Sequence, residues 1–151
     1  MKIKKVALVC LAVIAAGIFV SCATTTKRGF SQFDGKVWKL STVENFMESE
    51  TFNRKTMDEK TFEDAFTIQF DNNNVFGKGW PNRFRGSYTL GANNSITFSP
   101  MAATLMMAFA EPKGLTEHEF FNLLNSATTW ELRDDSLLIY TKDGSMMKFT
   151  K

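Results

Sequence analysis

Gly77-Lys78-Gly79-Trp80-Pro81-Asn82-Arg83-Phe84-Arg85-Gly86-Ser87-Tyr88 is the stretch on which the reading of this chain depends. Three glycines, a proline and an asparagine within twelve residues give a backbone that bends sharply and needs positive φ or close approach in places. The stretch therefore reads as a turn where two extended segments meet, and not as a catalytic centre. Gly77 and Gly79 are followed by no Lys-Ser or Lys-Thr pair and open no helix, so they do not form a phosphate loop.

On its N-terminal side, Phe66, Ile68 and Phe70 alternate as one face of a strand, and Asp71-Asn72-Asn73-Asn74 is a turn whose side chains tolerate left-handed backbone. Val75–Gly79 then returns as the partner strand. On the C-terminal side, Ser87–Leu90 continues extended, Gly91-Ala92-Asn93-Asn94 turns, and Ser95–Phe98 pairs back, which is the logic of a meander. Earlier still, Phe33–Leu40 holds a glycine turn followed by Trp38 and Leu40 on one strand face. Ser41–Asp64 shows no clean period, because Phe46, Phe52, Met57 and Phe62 are too widely spaced, and it reads as a long excursion with a helical turn.

Beyond the meander, Met101–Phe109 is an apolar run bounded by Pro100 and Pro112; a buried strand, a short helix and a covering loop all fit it. The clearest helix follows. Thr116 caps it, Glu119 completes a capping box, Leu115 staples onto Phe120, and Phe120, Leu123 and Leu124 form an apolar face closed by Ala127. Thr128–Leu132, Leu137–Thr141 and Met146–Thr150, joined by turns at Arg133–Ser136 and Asp143-Gly144, make two adjacent hairpins. These local pairings predict an α+β fold: a single small domain with a curved, mostly antiparallel β-sheet of meander and hairpins and one main helix packed on it.

The N-terminus is of another kind. Lys2, Lys4 and Lys5 precede an uncharged apolar run, Val6–Val20, that is shorter than the roughly 20 residues a membrane-spanning helix needs, so it reads as a secretory signal. Phe19-Val20-Ser21-Cys22 resembles the bacterial lipobox, with Phe19 in place of the usual leucine. That resemblance implies a signal peptide over 1–21, lipidation of Cys22, a polar tether over 22–32 and a folded domain over 33–151. Several acyl chains on one residue hold a protein on a membrane far better than a single chain does.

Removing residues 1–21 takes three lysines from the eighteen bases and none of the sixteen acids, leaving one net negative charge. No basic stripe remains to bind nucleic acid. Cys10 leaves with the signal and Cys22 is acylated, which leaves no thiolate for zinc, and the single His118 gives no imidazole cluster. His118 reads as a solvated residue in the first turn of the helix. Seven methionines beyond the initiator read as gap filling in an aromatic core rather than as a soft-metal site. Asp134 and Asp135 sit in a turn, and His118 has no identifiable nucleophile partner, so the expectation is a protein that is not an enzyme and uses no cofactor.

Gly35-x-x-Trp38-x-Leu40, the Phe66–Phe70 strand and then Gly79, Asn82, Arg83, Phe84, Gly86 and Tyr88 in a Gly-x-x-Asn-Arg-Phe-x-Gly-x-Tyr pattern resemble the META domain, also called the HslJ-like domain. Ile96, Phe98, Met101, Thr104, Glu119, Phe120–Leu124 and Leu137–Tyr140 extend the likeness from Phe33 to Phe149. The resemblance implies a lipid-anchored lipoprotein of the bacterial envelope, on the outer membrane facing the periplasm or the cell surface, with a role in envelope stress response or maintenance. The chain is expected to be a monomer held to the membrane by its N-terminal lipid, with an envelope protein or an apolar ligand as partner, and the resemblance implies a structural role for Gly35, Trp38, Gly79, Asn82, Arg83, Gly86, Tyr88 and Thr104. Family members commonly carry a cysteine before the Asn-Arg pair and another beyond the position of Thr104; Pro81 and a residue near Ala108 or Phe109 stand there in this chain, so no redox role carries over. The alternative is a binding module holding a lipid or peptide in an apolar cleft formed by the sheet, its aromatics and Met101–Phe109.

Overall fold

The computed structural model describes residues 29–45 and 52–151. The signal-like run, Cys22 and most of the expected tether lie outside the described residues, as do Phe46 and Met47. In chain order the strands are β1 (Val37–Asn45), β2 (Phe52–Asn53), β3 (Thr67–Asp71), β4 (Asn74–Lys78), β5 (Arg83–Leu90), β6 (Ile96–Phe98), β7 (Ala102–Ala103), β8 (Ala127–Arg133), β9 (Ser136–Thr141) and β10 (Ser145–Thr150). Among the described residues the short helix α1 (Glu59–Phe62) and the main helix α2 (Glu117–Asn125) accompany them.

The sheet runs β6-β5-β4-β3-β1-β10-β9-β8, with β2 beside β1 and β7 beside β5. All of these strand pairs are antiparallel. β1 joins the meander to the C-terminal hairpins by pairing β3 on one side and β10 on the other. The two end strands then approach each other. Ser95 bridges Thr129, and the Trp130 amide donates to the Asn94 carbonyl at 2.9 Å. The sheet thus curls almost into a barrel, which leaves little free edge for unwanted strand addition.

Turn chemistry follows the residues. Asn72 and Asn73, Asn93 and Asn94, and Asp134 and Asp135 all have positive φ, as does Gly144, the backbone that tight hairpins require. Alternation places Trp38, Leu40, Ile68, Phe70, Val75, Phe84 and Tyr88 inside. Phe30, within the segment read as tether, is also buried, and its ring sits 4.9 Å from those of both Phe70 and Trp130. The helix α2 has the expected capping box between Thr116 and Glu119. Its Phe120 ring packs on Phe66 at 5.2 Å and on Phe84 at 6.1 Å.

Three expectations change. The Gly77–Tyr88 stretch is mostly strand: Gly77 and Lys78 belong to β4, Arg83–Tyr88 to β5, and the turn shrinks to Gly79–Asn82. Gly77 is required inside the sheet, since a Cβ there would lie 2.0 Å from the Thr67 carbonyl oxygen and 2.5 Å from the Phe84 ring. Second, the excursion read over Ser41–Asp64 begins as a continuation of β1 through Asn45. The register shifts between Leu40 and Thr42, a bulge that carries the inward face from Leu40 to Val43 and breaks the period-two pattern. Third, of the readings open for Met101–Phe109 the loop is the one found, with β7 inside it, but it does not cover the core: Met101 packs there partly buried while Leu105, Met106, Met107 and Phe109 face solvent.

Candidate functional site

The Gly79–Asn82 turn, the start of α2 and the loop after β7 meet in one hydrogen-bonded network. Gly79 shapes the turn: its amide donates to the Asn82 carbonyl at 2.8 Å and its carbonyl accepts from the Phe66 amide at 3.2 Å. Glu117, the first residue of α2, brings a carboxylate to the helix end where negative charge is favoured. Its Oε1 accepts from the amides of Trp80 and Asn82, both at 2.8 Å, and its Oε2 accepts from Asn82 Nδ2 at 2.6 Å. Both carboxylate oxygens are spent on the turn.

Asn82 carries the network to the loop. Its side chain is buried, and its Oδ1 accepts from Thr104 Oγ1 at 2.8 Å and from the Met106 amide at 2.7 Å. Thr104 is fixed again by Arg83: its amide donates to the Arg83 carbonyl at 3.0 Å and its Oγ1 accepts from the Arg83 amide at 3.2 Å. Buried polar groups satisfied this fully rigidify what they join. What they join is a loop in which Leu105 is 99%, Met106 53%, Met107 89% and Phe109 108% exposed. Trp80 lies at its foot, donating Nε1–H to the Ala110 carbonyl at 2.8 Å, with Lys78 Nζ 4.5 Å from its ring centroid.

Four of the residues singled out in the sequence, Gly79, Asn82, Arg83 and Thr104, come together here, and four do not. Gly35 lies in the turn before β1 with φ 70°, its amide donating to the Phe70 carbonyl. Trp38 is buried, its Nε1–H donating to the Phe33 carbonyl at 3.2 Å. Gly86 on β5 leaves room for Met101, whose Cγ would be 3.2 Å from a Cβ there. Tyr88 is buried near Asp34; burial first, and then the Asp34 charge, push its phenol up to about 12. Asp34 in turn is raised, by burial and then by the charge of Asp71. Cys22 lies outside the described residues, and His118 is exposed.

Glu117 was missed in the sequence, as was the part played by Met106. The signal for Glu117 is faint: an acid in the first helical turn beside the more conspicuous capping-box Glu119. The space it needs is visible only in three dimensions, because a Cβ on Gly79 would lie 2.6 Å from Glu117 Oε1.

The barrel interior is filled by rings in edge-to-face contact, such as Phe30 with Phe33 at 5.0 Å and Phe33 with Trp38 at 5.1 Å. Open space lies instead on the outer face. A groove of about 680 Å³ runs beside β7, with Val37, Phe76 and Ala102 among its apolar residues and Lys39, Lys78, Arg83 and Arg85 along it. Lys78 pairs with Asp64 at 2.9 Å, which holds the Asp64 carboxyl below its ordinary value. Among the described residues, neither the Arg83 nor the Arg85 guanidinium has a hydrogen-bonded acceptor or an ion pair, and Arg83 feels Asp64 only through space.

The family model described as META domain matches residues 31–151. A protein from Burkholderia xenovorans, solved by NMR, has a similar structure with a TM-score of 0.62 at 18% identity, over 82% of this chain and 86% of that one. A DUF4847 family protein from Bacteroides vulgatus ATCC 8482, in a crystal structure, aligns with a TM-score of 0.55 at 14% identity, over 81% of this chain and 96% of that one. At such identities the likeness is one of fold. No curated protein sequence matches the chain.

Proposed function

The chain belongs to the META domain family, and from that premise we propose that it is an exported, lipid-anchored envelope protein that works by contact and not by catalysis, in envelope maintenance or the response to envelope stress. The single observation that carries the contact reading is the apolar loop Leu105–Phe109, which the Asn82 network holds away from the body instead of letting it collapse onto the barrel. Glu117 and Asn82, the carboxylate and side-chain amide at the centre of the network, are committed to one another and to backbone, which supports a structural role for them. Export and anchoring rest on the sequence of residues 1–22, with Cys22 as the acylated residue and the outer membrane, facing the periplasm or the surface, as the destination.

Acyl labelling and fractionation test the anchor. The wild-type protein is expected to incorporate labelled palmitate and to sediment with membranes, and Cys22→Ser to lose the label and the bulk of its membrane fraction. A Cys22→Ser protein that still fractionated fully with membranes would count against lipid anchoring.

A further inference from the structure

Met101–Ala110 is a run of ten residues without a charge, and beyond Met101, which packs partly buried against the core, its large side chains Leu105, Met106, Met107 and Phe109 are exposed. Leu105 at 99% and Phe109 at 108% exposure are solvated on nearly every side, so they stand as separate tips and not as a flat facet. A folded protein partner would need a fitted pocket for each tip. A lipid headgroup layer closes around tips of any spacing, and burying a Leu or Phe side chain removes a large apolar area from water.

Charge and aromatic placement favour the same occupant. β7, at the base of the loop, pairs with Phe84 and Arg85 of β5. Arg83 and Arg85 therefore flank the loop, with guanidinium groups that lack a bonded acceptor among the described residues. The first charge after the loop is Glu111, followed closely by Lys113. Trp80 is half-buried and tied by its indole N–H to Ala110, a side chain suited to the boundary between water and hydrocarbon. Resting on the contact reading above, we propose that Leu105–Phe109 inserts into the headgroup region of an anionic lipid bilayer, with Arg83 and Arg85 against lipid phosphates and Trp80 at the boundary.

Vesicle flotation tests this with the processed-length chain, residues 22–151, carrying Cys22→Ser so that no acyl chain contributes. The chain is expected to float with phosphatidylcholine vesicles containing phosphatidylglycerol, more weakly with phosphatidylcholine alone, and less as salt is raised. Trp38 and Trp130 are buried, so the accompanying blue shift of tryptophan emission should come from Trp80 and disappear in Trp80→Phe. Leu105→Ser with Phe109→Ser should weaken binding by at least about tenfold, and Arg83→Gln with Arg85→Gln on the order of tenfold. These side chains are exposed, and an unchanged melting temperature confirms that each variant is folded. Absence of flotation, or binding that ignores the loop substitutions, overturns the proposal. Loop-dependent crosslinking to one envelope protein without vesicle binding would also overturn it, while leaving the contact reading in place.

Discussion

Glu117 is the residue through which the turn, the helix and the loop are coupled, and its value lies in geometry rather than in titration. It accepts two backbone amides and one side-chain amide, and removing one acceptor oxygen leaves a partly buried donor without a partner. Glu117→Gln should therefore cost about 1–3 kcal/mol, read as a lower urea midpoint with an unchanged slope. Gly79→Ala should do similar damage, because its Cβ meets Glu117 Oε1 at 2.6 Å and a buried turn has little room to yield. A neutral result for both would mean that the network is incidental. Asn82, Gly79 and Thr104 were legible in the sequence through the family pattern, whereas Glu117 was not. Its hydrogen bonds span 35 and 37 residues, and no local spacing rule encodes a contact between elements so far apart in the chain.

At the scale of elements, α2 was the most readable part of the chain because its signals are local: the Thr116 cap, Glu119 three residues on, and the apolar face. Thr116 N–H and Oγ1–H both donate to Glu119 Oε2 at 2.8 Å, and the backbone bond first and the hydroxyl second hold the Glu119 carboxyl below its ordinary value. A depressed folded pKa means stability that is present above the unfolded Glu value and lost as pH falls through the folded one. Glu119→Gln should accordingly be less stable than wild type above about pH 5, with the gap closing below about pH 4; melting temperatures across this range check it. A gap that stayed constant with pH would show that the charge of Glu119 is irrelevant. β1 was harder to read, since its bulge near Ser41 disguises Val43 as a loop residue. The loop after β7 was hardest. Apolar composition normally signals burial, and nothing in Met101–Phe109 itself reveals that Asn82 holds it open.

For the whole molecule, strand pairings between near neighbours made the curved antiparallel sheet readable, while its near closure was not, because the Ser95–Thr129 bridge joins residues far apart in the chain. Phe30 packs on Phe70 and Tyr88, toward the end of the β3–β4 hairpin that holds its Asn72-Asn73 turn, and the apolar loop projects from the opposite end, beside Gly79–Asn82. Insertion of the loop as proposed would bring the Gly79–Asn82 end of the barrel to the membrane. All of this requires the loop to be part of the rigid body. Residue-resolved amide hydrogen exchange at Met106 tests that requirement most directly. With its amide donating to Asn82 Oδ1, Met106 is predicted to exchange with a protection close to that of the β5 amides, opening only when the barrel does, while Met107 beside it exchanges freely. Met106 exchanging as fast as Met107 would contradict the account.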